Sequence, residues 1–360
     1  MKPRIGVIGG GIYGRKMLSV YYDAHKQGEI ELVCLADINE KVLKEHENNF
    51  GIKGYTDYKK MIRKENLDGV AIVTPDHLHR EIAIEVANQG IHMLVQKPLD
   101  VSTTGAVEMA KAAKENNVLL YVDFHKRFDP IHIQLKKDIE QGKMGKVQYG
   151  YIWAENRIVV PSVWFKAWAE NSSPAWFLGI HWFDLICWLL KTKPKKIYAT
   201  GVKDKLIGMG IDTFDSIQIK IELENGTNFS VDCSWILPNS FSERVNQGIR
   251  LVGSNGIWEI DSQDRGALYC NEQEKQTVVP NPYSMITQED PISGTIFRGG
   301  YIVDSMLFYT KLILMLKQGM AVNDLKGYYP SGEEAIVSTQ IAEAAHRSAE
   351  TKEVIDLMKG

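Results

Sequence analysis

The chain has few cysteines, no marked excess of charge of either sign and no long apolar run, and each shortage removes a class of function. Its four cysteines, Cys34, Cys187, Cys233 and Cys270, show no short metal-type spacing, and three of them sit inside apolar runs that suit buried thiols. That usage fits a reducing cytoplasm. Lys and Arg number 42 against 45 acidic residues, a net charge of -3, which leaves no electrostatic footprint for nucleic acid or anionic lipid. No window reaches 18 uninterrupted apolar residues, and no signal-type apolar core precedes the first strand. The expectation is therefore a cytoplasmic protein with neither a nucleic acid nor a membrane as partner. Internal repeats and low-complexity linkers are also lacking. At 360 residues the chain is nonetheless too long for one ordinary core, and two domains are expected.

What is present begins at residue 4. A short apolar run leads at once into the spacing Gly9-x-Gly11-x-x-Gly14, with Ile12 and Tyr13 between the second and third glycines, and then into a helix-like segment. In a dinucleotide-binding turn the first glycine allows the tight bend, the second lets the backbone approach a pyrophosphate, and the third lets the helix pack closely on the strand. The phosphates rest on the helix N-terminus. Such a triplet is weak alone. Here a second strand, Glu31 to Asp37, ends in a carboxylate 23 residues after Gly14, where a ribose-binding acid belongs. Ile38 and Asn39 follow Asp37 with no arginine beside them for a 2'-phosphate, so NAD is preferred over NADP.

From residue 1 to 123 short apolar strands near 4–8, 31–37, 69–74, 91–96 and 118–122 alternate with amphipathic segments, which implies a doubly wound parallel sheet. From 124 to 360 the pattern changes. Ser216 to Leu223 alternates strictly, Asn225-Gly226 turns, and Phe229 to Trp235 returns as an antiparallel partner. Ile217, Ile219, Ile221 and Leu223 share one face, while Gln218, Lys220 and Glu222 point the other way, as in an open sheet covered on one side. Further strands are expected near 249–260 and 267–279, and helices near 301–318 and 332–349. The fold class is α/β: an N-terminal Rossmann domain at 1–123, and a C-terminal α+β domain at 124–360 with an open, largely antiparallel sheet for substrate binding and oligomerisation.

Four more strings lie in order: Thr74-Pro75-Asp76-His77-Leu78-His79, Gln96-Lys97-Pro98, Lys126-Arg127-Phe128-Asp129-Pro130 and Gly179-Ile180-His181-Trp182-Phe183-Asp184. With the glycine loop they resemble the glucose-fructose oxidoreductase and inositol dehydrogenase (Gfo/Idh/MocA) family. That family has a strand-end Thr-Pro, a Glu-Lys-Pro triplet, an Arg-Phe-x-Pro stretch and a helix bearing His-x-x-Asp. The resemblance spans essentially the whole chain. It implies an oxidoreductase that moves a hydride between a hydroxyl of a sugar, sugar derivative or cyclic polyol and a nicotinamide cofactor. Lys97 is then catalytic, holding the reacting hydroxyl and stabilising the developing alkoxide. His181 resembles the proton acceptor, since an imidazole with an ordinary pKa of about 6.5 suits a base near neutral pH, and Asp184 orients it or touches substrate. The cofactor set implied is Gly9, Gly11, Ile12, Tyr13, Gly14, Asp37, Thr74, Pro75, His79, Gln96 and Lys97. The substrate set adds Arg127, Trp164, Trp168, His181 and Asp184.

Plainer readings stand beside these. Lys97 could be a surface lysine after a strand, and His181 with Asp184 a satisfied core pair. Six of the eight tryptophans, Trp153, Trp164, Trp168, Trp176, Trp182 and Trp188, fall within 36 residues and are large core residues first. Only Trp164 and Trp168, in the irregular stretch 158–173, are assigned to the sugar. Two histidines at 77 and 79 without further ligands are poor metal ligands, and no catalytic metal is expected. Two departures from the family pattern matter. Gln96 replaces the usual glutamate and removes a possible charge partner of Lys97. Phe177 replaces an aspartate found four residues before the histidine in many inositol and sugar dehydrogenases, which weakens the inositol assignment. The rival readings are a glycosidase that borrows bound NAD for transient oxidation and a nucleotide-sensing regulator without turnover. A homodimer or homotetramer is the expected assembly.

Overall fold

The computed structural model describes residues 2–266, 277–279, 281, 283–291 and 294–358, and the chain forms two compact units, residues 1–128 with 284–336 and residues 129–283 with 337–360. In the first, β1 (Arg4–Ile8) runs through the glycine loop into α1 (Ile12–Lys26), followed by β2 (Glu31–Ala36), α2 (Glu40–Phe50), β3 (Lys53–Tyr55), α3 (Tyr58–Lys64), β4 (Gly69–Ile72), α4 (His79–Asn88), β5 (His92–Val95), α5 (Thr103–Glu115) and β6 (Leu120–Val122). The six strands form one sheet in the order β3-β2-β1-β4-β5-β6, every pair parallel. Near-continuous burial of β1, β4 and β5 is what a parallel sheet covered on both faces demands. Because all strands point the same way, the loops that follow them share one edge, and the order reverses between β1 and β4, where such sheets bind ligands.

The second unit begins with α6 (Pro130–Glu140) and β7 (Val147–Arg157), then α7 (Ile180–Leu190), β8 (Pro194–Val202), β9 (Ser216–Leu223), β10 (Asn228–Leu237), β11 (Val245–Gly253) and β12 (Ile257–Asp261). The expected hairpin is β9–β10, paired antiparallel from Ser216↔Ser234 to Glu222↔Asn228, with Gly226 at φ 86° in its turn. Ile217, Ile219, Ile221 and Leu223 are buried as the alternation requires, while Gln218 and Lys220 are exposed. In α7, Trp182, Phe183, Leu185 and Ile186 are fully buried. Burial of side chains of this size stabilises by about 1.5–3 kcal/mol each. A Cβ on Gly179, just before α7, would sit 2.9 Å from Cys233 Sγ on β10, so only glycine allows this approach.

The chain then forms β13 (Ile286–Glu289), β14 (Ile296–Gly299), α8 (Tyr301–Lys317), α9 (Gly332–Thr351) and β15 (Ile355–Asp356), the last completing a seven-stranded sheet ordered β12-β11-β7-β10-β9-β8-β15. Only its β7–β10 pair is parallel. Most of the strand expected at 267–279, and Cys270 with it, lie outside the described residues.

A single cut between 123 and 124 differs from this division, since residues 284–336 group with the parallel sheet. The cause is α8. Its Val303, Met306, Tyr309, Leu312 and Ile313 are buried in one cluster with Ile5, Val7, Leu94 and Tyr121 of the sheet, and Tyr309 Oη donates to Val70 O at 3.1 Å and His92 O at 3.0 Å. A helix that late in the chain is legible as amphipathic, but its periodicity does not say which sheet it covers.

Candidate cofactor and substrate sites

The glycine loop explains itself sterically. Gly9 has φ 102°, and a Cβ there would strike the Val73 carbonyl, while a Cβ on Gly14 would strike the Gly9 carbonyl. Gly11 is the opposite case: nothing lies within 4 Å of its Cβ position, and it caps α1 without a side-chain hydrogen bond and with no acid in the first turn. The first amides of α1 therefore face an open approach, the form of an anion site at a helix N-terminus. Asp37, at the end of β2, accepts from Gly10 N at 2.7 Å and from Asn39 N at 2.8 Å. Those bonds tie the carboxylate to the loop and leave lone pairs for a ribose.

Thr74 and Pro75 follow β4. The Thr74 hydroxyl oxygen is buried and without a hydrogen-bond partner, an unmet polar group of the kind that a bound ligand satisfies. His79, fully buried, sits with Nε2 at 3.0 Å from Thr74 O and Nδ1 at 2.8 Å from Pro98 O, so its ring holds the turn after β4 against the turn after β5. Gln96 and Lys97 follow β5 directly. Burial pushes the Lys97 ammonium down to about 8, opposed by the carboxylates of Asp76 and Asp123. Lys97 is thus half-buried, with a lowered pKa, at the sheet edge that carries the glycine loop.

Gln96 is not idle where a glutamate was expected. Its Nε2 donates to Asp123 Oδ2 at 2.5 Å. Asp123 follows β6 and is fully buried, and it also accepts from Ser305 Oγ of α8 at 2.5 Å and from Tyr13 Oη of the glycine loop at 3.3 Å. Burial holds the Asp123 carboxyl above its ordinary value, against the opposing pull of the Ser305, Gln96 and Tyr13 donors and the Lys16 charge. The sequence reading missed Asp123. Its signal was an acid directly after an apolar strand, at the same edge as Asp37 and Lys97. Arg127, also in the first unit, is 9% exposed and pairs with Glu334 at 3.3 Å.

The second unit carries the rest of the assigned set. His181 and Asp184 are both buried, 7% and 2% exposed, one turn apart on α7. Phe177, in the turn before α7, packs against Phe165 and Trp168 with ring centroids at 5.3 and 6.3 Å, and against the buried Trp235 at 6.2 Å. An apolar cluster thus surrounds position 177. Trp168 also meets Phe165 at 4.8 Å. Trp164 is half-buried and has the Arg244 guanidinium 5.5 Å from its ring. Trp176 stacks on His346 at 5.3 Å, and Trp182 is fully buried, both as core residues.

The comparisons with known proteins bear on the family of the chain. A model described as the oxidoreductase family with an NAD-binding Rossmann fold matches residues 3–124, and a GFO/IDH/MocA C-terminal domain model matches residues 132–259. The chain is 25% identical to myo-inositol 2-dehydrogenase of Thermotoga maritima, covering 98% of each. It is 30% identical to an uncharacterized oxidoreductase of Streptococcus pneumoniae, covering 96% of each. Among solved structures, scyllo-inositol dehydrogenase of Lactobacillus casei, with bound NAD(H) and scyllo-inositol, superimposes at TM-score 0.77 and 17% identity over 99% of this chain and 100% of that one. No described helix is long and apolar enough to cross a membrane. The matched models, the strand order and the ordered motifs together place the chain in the Gfo/Idh/MocA oxidoreductase family.

Proposed function

We propose that the protein is an NAD-dependent dehydrogenase oxidising one hydroxyl of a sugar, sugar derivative or cyclic polyol to a ketone or lactone. The observation that carries this reading is the half-buried, downshifted Lys97 at the sheet edge that also bears the open helix terminus at Gly11 and the carboxylate of Asp37. The residues present fit a dinucleotide. The α1 amides would take the pyrophosphate, Asp37 the adenosine ribose, and Thr74 a polar group through its unmet hydroxyl. The nicotinamide, when bound, supplies the hydride acceptor.

The chain's own part is proton and charge control. The Lys97 ammonium donates a hydrogen bond to the reacting hydroxyl and stabilises negative charge as it develops on that oxygen. His181 accepts the proton, with Asp184 on the same helix face as its orienting partner. Trp164 and Trp168 offer flat faces to an apolar sugar face, and Phe177 selects against substrates that need an acid at that position. Relatives that are inositol dehydrogenases support the polyol class. Asp37 favours NAD because a carboxylate repels a 2'-phosphate, and a homodimer or homotetramer in the cytoplasm is the assembly proposed.

The test is a panel of sugars, polyols and uronic acids incubated with purified protein and NAD, with absorbance of NADH followed. Accumulation of NADH with one class supports the reading. Release of a sugar without net NADH would identify an NAD-assisted glycosidase instead, and tight NAD binding with no turnover on any class would favour a regulator.

A further inference from the structure

Lys97 lacks the neighbouring acid that a Glu-Lys-Pro triplet would provide, yet two carboxylates act on it, Asp76 and Asp123. Asp123 stands out because its surroundings are built around it. Three donors from three elements converge on the one fully buried carboxylate: Gln96 after β5, Tyr13 at the start of α1, and Ser305 on α8. Ser305 is itself fixed, its Oγ 2.8 Å from Tyr121 Oη. Donors aimed at a carboxylate favour its charged form and hold it rigidly. An amide at position 96 can donate to Asp123, whereas a glutamate there would set two carboxylates at hydrogen-bond distance and force one to keep a proton.

We propose that Asp123 is the positioning carboxylate of Lys97, supplying from the end of β6 the negative charge that a glutamate at position 96 would carry, with Gln96 as the amide that holds it in place. The proposal rests on the reading of Lys97 as the catalytic lysine. It makes residues 96 and 123 a matched pair, in which one carboxylate and one amide are required and their order can be exchanged. The charged or titratable groups that act on Lys97 or Asp123 include Asp76, Lys16 and Tyr13, and Tyr301 acts in turn on Tyr13. Burial raises the Tyr13 phenol and keeps it neutral, so the negative charge that acts on Lys97 comes from Asp76 and Asp123.

The experiment titrates Lys97 itself. Pulse acylation of the amine across pH, read on the Lys97 peptide by mass spectrometry, needs neither substrate nor turnover. In the wild type the half-point should lie at about 8. In Asp123→Asn it should fall by on the order of one unit, and in Gln96→Glu/Asp123→Asn it should return to the wild-type value. Gln96→Glu alone should melt lower than the wild type and lower than the double variant. An unchanged half-point in folded Asp123→Asn would overturn the proposal. If Asp123→Asn does not fold, the double variant decides. Folded protein with a wild-type half-point supports the exchange, and an unfolded double variant or a displaced half-point contradicts it. The alkaline limb of kcat/KM should move with the labelling. Labelling that moves while that limb stays would keep Asp123 as the partner of Lys97 and refute Lys97 as the catalytic group.

Discussion

Asp37 accepts two backbone hydrogen bonds before any ligand arrives, and that shapes how its role can be measured. A charge-assisted contact to the adenosine ribose is worth about 1.5–3 kcal/mol, so Asp37→Ser should weaken NAD by roughly 10- to 100-fold. Part of that loss comes from the slackened Gly10 amide and is common to both cofactors. The ratio of NAD to NADP dissociation constants isolates the ribose contact, and it should fall toward NADP in the variant. A wild-type protein that prefers NADP would contradict the assignment. Lys97 gives a second expectation. In the proposed mechanism its ammonium is the working form, so kcat/KM for oxidation should decline as pH rises through about 8 and be retained below it. A limb that rises there would show that the neutral amine works instead. At this scale the placement of the glycines, Asp37 and Lys97 in the turns after parallel strands was legible because backbone geometry restricts which residues can stand there. Asp123 was not, because its meaning depends on donors from Tyr13 and Ser305 that are far apart in the chain.

Among the elements, the hairpin β9–β10 was readable from alternation and its Asn225-Gly226 turn, and α8 and α9 from their apolar periodicity. The short β3 was not, since Lys53-Gly54-Tyr55 offers too few residues for a pattern. Nor was the allegiance of α8 to the parallel sheet, which rests on side-chain fit. Tyr309→Phe removes the donor to Val70 O and His92 O in a fully buried site. It should lower unfolding free energy by about 1 kcal/mol and leave KM for the sugar unchanged. Chemical denaturation alongside steady-state kinetics checks both, and unaltered stability would show that α8 is held by apolar contact alone. The loop 158–173 should behave in the reverse sense. Trp164 is half-buried beside Arg244, so Trp164→Ala should raise KM several-fold with little loss of melting temperature. Trp168 shares a cluster with Phe165 and Phe177, and Trp168→Ala should move both quantities. Unfolding of Trp164→Ala would return that residue to the core.

On the scale of the whole molecule, the residues assigned to chemistry divide between the two compact units, with Lys97 in one and His181 in the other. The proposed mechanism assigns both to one reaction, and kinetics can show whether they act as a unit. General acid-base groups contribute about 10²- to 10⁴-fold, so Lys97→Ala and His181→Ala should each lower kcat by that order while NAD affinity stays near wild type. The decisive measurement is kcat of the double variant on the substrate that the panel identifies. Groups serving one proton transfer are non-additive, and the double variant should be little worse than the poorer single one. Losses that multiply would show that the residues act independently, and turnover that survives both substitutions would place the hydride chemistry elsewhere in the molecule.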